Sequence, residues 1–91
     1  MNLIKQTLLD NGYIELMTGF NRFYKPFISG GCIFVFLDEI NHYVRFEYRY
    51  NDNTEQFIAL EQTVLDILDT FIVDTEERFK LFKDNIKFKK L

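Results

Sequence analysis

A thiol nucleophile needs a base beside it, and the chain offers one Cys, one His and a single Ser29 from which such a pair could be built. Cys32 and His42 lie on either side of a predicted hairpin turn, so neighbouring strands could bring them together. Cys32, however, opens the most apolar run of the chain, Cys32-Ile33-Phe34-Val35-Phe36-Leu37. That is the setting of a buried reduced thiol, whereas a catalytic thiolate needs a polar, electropositive and accessible one. His42 reads as a solvated turn residue, and no catalytic residue is assigned.

Acid and base catalysis by carboxylates needs one partner with a raised pKa. The available pairs are Asp38-Glu39, Asp66 with Asp69, and Glu76-Glu77. The first falls in a turn and the second off the predicted apolar stripe. The third suits a first helical turn, where the macrodipole favours acids. A zinc site needs about four ligands, which one Cys and one His at unrelated positions do not supply. Asn51-Asp52-Asn53 is too short for a calcium loop, and Gly30-Gly31 leads into a strand with no phosphate-binding Lys. No metal, cofactor or small-molecule substrate is expected.

Basic residues raise a different chemistry. Arg22, Lys25, Arg45 and Arg49 interleave with Tyr24 and Tyr43 on predicted strands, a pattern that can stack on single-stranded nucleic acid. Glu47 interrupts it, and the order of elements does not match an RNA-recognition motif. The C-terminal run Lys80, Lys83, Lys87, Lys89 and Lys90 is a second cationic patch, available to a polyanion or an acidic partner. Lysines at a helix end also answer its dipole. Residues 55–77 hold seven acids and no base, so the last third of the chain is a charge dipole.

These residues need elements to hold them. Leu3, Ile4, Leu8 and Leu9 fall at helical spacing, with Asn2 as N-cap and Asn11-Gly12 as the stop. Tyr13 to Phe27 reads as a hairpin turning at Gly19 and ending near Pro26. Cys32–Leu37 is a strand with two apolar faces. Tyr43–Tyr50 alternates, with Val44, Phe46, Tyr48 and Tyr50 on one side and Tyr43, Arg45, Glu47 and Arg49 on the other. Thr54 caps a helix with the stripe Phe57, Leu60, Val64, Ile67 and Phe71, although Glu55–Ala59 also fits an edge strand. Asp74 starts a last helix with Phe79, Phe82 and Ile86 inward. One unbroken helix to residue 88 is the alternative.

The expected fold is therefore a single α+β domain over residues 1–91 in the order α-β-β-β-β-α-α, a two-layer sandwich of about four antiparallel strands packed by an N-terminal helix and one or two C-terminal helices. Ninety-one residues, 47% hydrophobic and 27% charged, suit one globular core, and eleven Phe with five Tyr enrich it in aromatic rings. The lone Cys and the absence of a signal-like or membrane-spanning run lead to the expectation of a soluble cytoplasmic protein.

The second apolar face of Cys32–Leu37 would meet water in such a fold unless something covers it. Ile33, Val35 and Leu37, or the alternate set on the other face, are thus the candidate interface, covered either from within the chain or by a partner. The leading expectation is a non-enzymatic protein-binding module of adaptor or inhibitor type, with a foreign protein or a second copy as partner. Small size, a composition typical of AT-rich genes and missing chemistry fit a phage or other mobile element. The competing expectation is a nucleic-acid-binding protein using the C-terminal lysines and strand arginines; a membrane partner is not expected.

Overall fold

Alternation along Tyr43–Tyr50 organises the whole structure, because the strand carrying it sits in the middle of one antiparallel sheet. The structure, a computed structural model, describes residues 1–28, 30–68, 76–85 and 89–90, with backbone alone for 76, 85, 89 and 90. Helix α1 spans Asn2–Asp10, followed by β1 (Ile14–Leu16), β2 (Arg22–Pro26), β3 (Cys32–Asp38), β4 (Tyr43–Tyr50) and β5 (Asn53–Leu60). Two helices, α2 (Glu61–Asp66) and α3 (Glu76–Asn85), precede a two-residue β6 (Lys89–Lys90). The strands lie in the order β1-β2-β3-β4-β5-β6, each antiparallel to its neighbour. This is the expected α+β arrangement, with five main strands in place of about four.

The extra strand is β5. Its two-residue connection to β4, Asn51-Asp52, is hairpin length, and Asn51 sits in the left-handed region at φ 49°. Phe57 and Ala59 then point into the core while Ile58 and Leu60 point away. Thr54 is consequently a strand residue and no helix cap. The helix starts only at α2, whose Glu61 backbone N–H donates to the carbonyl of His42 at 2.8 Å. Phe71, Asp74 and Ile86 lie outside the described residues.

Register fixes the two faces. Phe23, Val35, Phe46 and Phe57 are successive cross-strand partners, and so are Leu37, Val44 and Ala59, and Ile33 and Tyr48. All are buried, together with Ile4 and Leu8 of α1, Val64 of α2 and Phe79 and Phe82 of α3, in one core cluster. The centre is aromatic: Phe46 stacks on Phe57 at 4.9 Å between centroids and meets Phe82 edge-on at 5.2 Å, while Phe79 packs on Tyr48 at 4.2 Å. In α1 only Ile4 and Leu8 of the apolar set are buried. Leu3 and Leu9 face outward, and Asn2 belongs to the first turn behind Met1 as the N-cap position.

Ion pairs pin the helices to the same face. Lys5 of α1 reaches Glu15 of β1 at 3.1 Å, and Lys83 of α3 reaches Glu55 of β5 at 3.0 Å. Among the described residues no helix is long and apolar enough to cross a membrane.

Gly31, between β2 and β3, is held by close backbone contact. Its φ is +86°, and an added Cβ would lie 2.7 Å from the carbonyl oxygen of Arg49 and 3.3 Å from the Cβ of Tyr50. Left-handed strain adds to a clash with backbone that cannot swing away, so Gly31→Ala should destabilise the domain by about 2 kcal/mol or more. Chemical denaturation measures this. A loss under ~0.5 kcal/mol would mean that the β2–β3 connection relaxes freely.

Candidate functional site on the open sheet face

A sheet strand presents alternate residues to opposite sides, so sealing one face of β2, β3 and β4 under the helices leaves the other to be satisfied elsewhere. The register sets out that second face in rows. Leu16, Arg22, Phe36, Arg45 and Ile58 form one row across five strands, and Ile14, Tyr24, Phe34, Glu47 and Gln56 form the next. Cys32, Arg49 and Thr54 follow at one end, and Asp38, Tyr43 and Leu60 at the other. None of the strand residues in these rows is buried. The buried side chains of the described helices all belong to the core on the opposite side.

Aromatic rings and guanidinium groups interlock on this face. Tyr24 and Phe34 rings lie 5.1 Å apart between centroids. The Arg49 guanidinium sits over Phe34 at 4.7 Å and that of Arg22 over Phe36 at 5.4 Å, both within cation–π range. Glu47 accepts from Arg49 at 2.6 Å and from the Gln56 side-chain amide. A groove of about 440 Å³ lies on this surface, lined by residues including Leu16, Arg22, Phe34, Phe36, Arg45 and Gln56.

Ile33, Val35 and Leu37 are not on this surface. They are at most 1% exposed and face the helices, because their cross-strand partners Tyr48, Phe46 and Val44 are the core set of β4. The alternate set, Cys32, Phe34 and Phe36, occupies the open face. Arg22, Arg45, Arg49, Tyr24 and Tyr43 do share that face. Lys25 does not: it donates to the backbone carbonyl of Asn11 and lies over the Tyr13 ring, against the helix side.

The C-terminal lysines are dispersed in what they do. Lys83 is engaged by Glu55 and lies over Phe79, and Lys80 is exposed on α3. Lys89 and Lys90 pair through backbone with Ile58 and Phe57, while Lys87 lies outside the described residues.

Further exposed apolar side chains lie in the turns at the Asp38 end of the sheet. The β1–β2 and β3–β4 turns lie side by side there, joined by the Leu37 N–H donating to the Asn21 carbonyl at 2.9 Å. They present Met17 (71% exposed), Phe20 (60%) and Ile40 (89%), next to Tyr43 and Leu60.

Cys32 and His42 end up at opposite ends of the β3–β4 hairpin, roughly 20 Å apart at the usual rise per strand residue. Cys32 is paired with Arg49 in register, and His42 Nδ1 lies 3.1 Å from Glu61, a contact that holds the Glu61 carboxyl below its ordinary range. Cys32 is half-buried on the open face and outside the core, in place of the expected buried position, and this partial burial pushes its thiol up against the opposing pull of Arg49. Native protein at neutral pH should therefore be alkylated at Cys32 well below the rate of the denatured chain. Labelling as fast in the native state as in denaturant would contradict this.

Among the described residues no three His, Cys, Asp or Glu side chains gather to hold a metal ion. Comparison of the chain with protein-family models, curated proteins and solved structures finds no match.

Proposed function

We propose that the chain is a non-enzymatic protein-binding module, of adaptor or inhibitor kind, whose contact surface is the open face of the sheet. The observation that supports this reading most is the asymmetry of β3. Its two apolar sets are equally unsuited to water, yet the described helices bury only one of them. Principal extents of 32, 28 and 24 Å give the broad side of the molecule a footprint of the order of 800 Å², the usual share of one partner in a stable complex. Rigid rings held on strands lose little entropy on docking, and arginines paired with them are the residue types in which binding energy concentrates.

Support for nucleic acid is thinner. Guanidinium groups already occupy faces of Phe34 and Phe36, Glu47 stands next to Phe34 in the second row, and Lys25 faces the other side. The chain as a whole carries −3.

The test pairs two substitutions on adjacent residues of β3, Phe34→Asp and Val35→Asp, and follows fold by circular dichroism and association by analytical ultracentrifugation and capture of cognate protein. A folded Phe34→Asp protein that has lost association supports the reading. Retained association in that variant opposes it.

A further inference from the structure

Resting on the reading of this face as a protein-binding surface, the geometry points to the chemistry of its partner: an acidic segment whose carboxylates engage Arg22 and Arg45 on either side of Phe36. Arg49 has a carboxylate of its own, Glu47 at 2.6 Å. Among the described residues, Arg22 and Arg45 have none within salt-bridge distance. Asp38 feels the charge of Arg45, but its two oxygens accept from the backbone N–H and the side-chain amide of Asn41, both at 3.0 Å. The face thus sets three arginines against two carboxylates that are already engaged, within a chain whose net charge is −3.

Placement matters as much as sign. Arg22 and Arg45 are both register partners of Phe36, one on each neighbouring strand. Two strand spacings separate their Cα atoms by about 10 Å, a span that carboxylates on one side of an extended segment can bridge given the reach of the arginine side chains. Arg22 is already braced over the Phe36 ring. A guanidinium held against a ring keeps N–H donors for bidentate carboxylate binding, and the contact reduces the entropic cost of ordering the side chain. Apolar partner residues next to the carboxylates would meet Tyr24 and Phe34 on one side and Tyr43 and Leu60 on the other. A second copy is the poorer occupant, because a two-fold contact would bring two net-positive faces together.

The test titrates the intact chain with a twelve-residue peptide of alternating glutamate and tyrosine. The matching lysine–tyrosine peptide and a twelve-nucleotide oligothymidylate serve as comparisons, and arginine Nε signals are followed by NMR. The expected result is binding of the glutamate peptide with shifts at Arg22 and Arg45, weakening as salt is raised. Arg22→Gln and Arg45→Gln should each weaken it roughly tenfold. Absence of glutamate-peptide binding at millimolar concentration overturns the proposal, and so does equal or tighter binding of the lysine peptide or of the oligonucleotide. If the double Arg variant binds as wild type while Phe34→Asp does not, the acidic preference fails and the face survives as the contact surface. If neither variant changes binding, both readings fail.

Discussion

Val35→Asp is expected to leave the chain unfolded, while Phe34→Asp, one residue away, leaves it folded and stripped of its partner. Val35 is 1% exposed, with Phe23 and Phe46 as its register partners on the two neighbouring strands, at the centre of the core row. A carboxylate there has neither water nor a counter-charge. The substitution forfeits the Val burial and adds the desolvation of an unpaired charge, a combined cost above about 4 kcal/mol. Small domains have a total stability of roughly 5–15 kcal/mol, and this one, at 91 residues, belongs near the lower end. Phe34 is half-buried on the open face, its side chain beside Tyr24 and under Arg49, so an Asp at that position keeps access to water and faces a guanidinium. The fold should tolerate it. The interface should not, because docking would desolvate the new charge. Circular dichroism that shows Val35→Asp folded, or Phe34→Asp unfolded, would reverse the assignment of the two faces.

That assignment was only half legible in the sequence. The alternation in Tyr43–Tyr50 identifies Val44, Phe46 and Tyr48 as core, and they are buried. Cys32–Leu37, apolar at every position, contains no such information about itself. Its facing is decided by β4 through the hairpin: Asp38 pairs with Tyr43, so odd-numbered residues of β3 oppose even-numbered residues of β4 and join them on the core side. A turn longer or shorter by one residue would have put Phe34 and Phe36 inside. Read with the alternation of β4, the four-residue turn 39–42 was the signal that could have moved the candidate interface from Ile33, Val35 and Leu37 to Phe34 and Phe36.

Residues 53–60 were ambiguous for a different reason. Phe57, Leu60 and Val64 satisfy a helical stripe, but Phe57 with Ala59 also satisfies a strand, and what selects the strand is the edge of β4, which offers pairing from Tyr43 to Tyr50. Tertiary pairing overrides a local period in this segment. The row Arg22–Phe36–Arg45 illustrates the same limit at the site. Each residue type is visible in its own strand, yet their adjacency is a property of two registers together. Lys25 shows the reverse error: proximity in sequence to Arg22 and Tyr24 suggested one basic row, and strand alternation puts it on the opposite face.

Phe79→Ala is expected to cost about 3–5 kcal/mol, the second-largest loss after Val35→Asp, and it tests whether α3 is an integral part of the core. Phe79 is fully buried. Its ring meets Tyr48 at 4.2 Å and Phe57 at 5.8 Å, so one side chain from α3 bridges the adjacent strands β4 and β5. Lys83, one turn further on, lies over the outer side of the ring at 4.9 Å and holds Glu55 of β5, so removing the ring also takes away the surface that positions this ion pair. The void would be lined by aromatic rings fixed on strands, which cannot collapse into it as flexible aliphatic chains would, and that pushes the cost toward the upper end of the range. Lys80→Ala, on the exposed side of the same helix, provides the reference and should change stability by no more than ~0.5 kcal/mol. Urea denaturation of the two variants beside wild type gives the comparison directly. A Phe79→Ala loss below about 1 kcal/mol would mean that α3 is dispensable for the sheet, and that its basic residues could be presented to a partner without unfolding the domain.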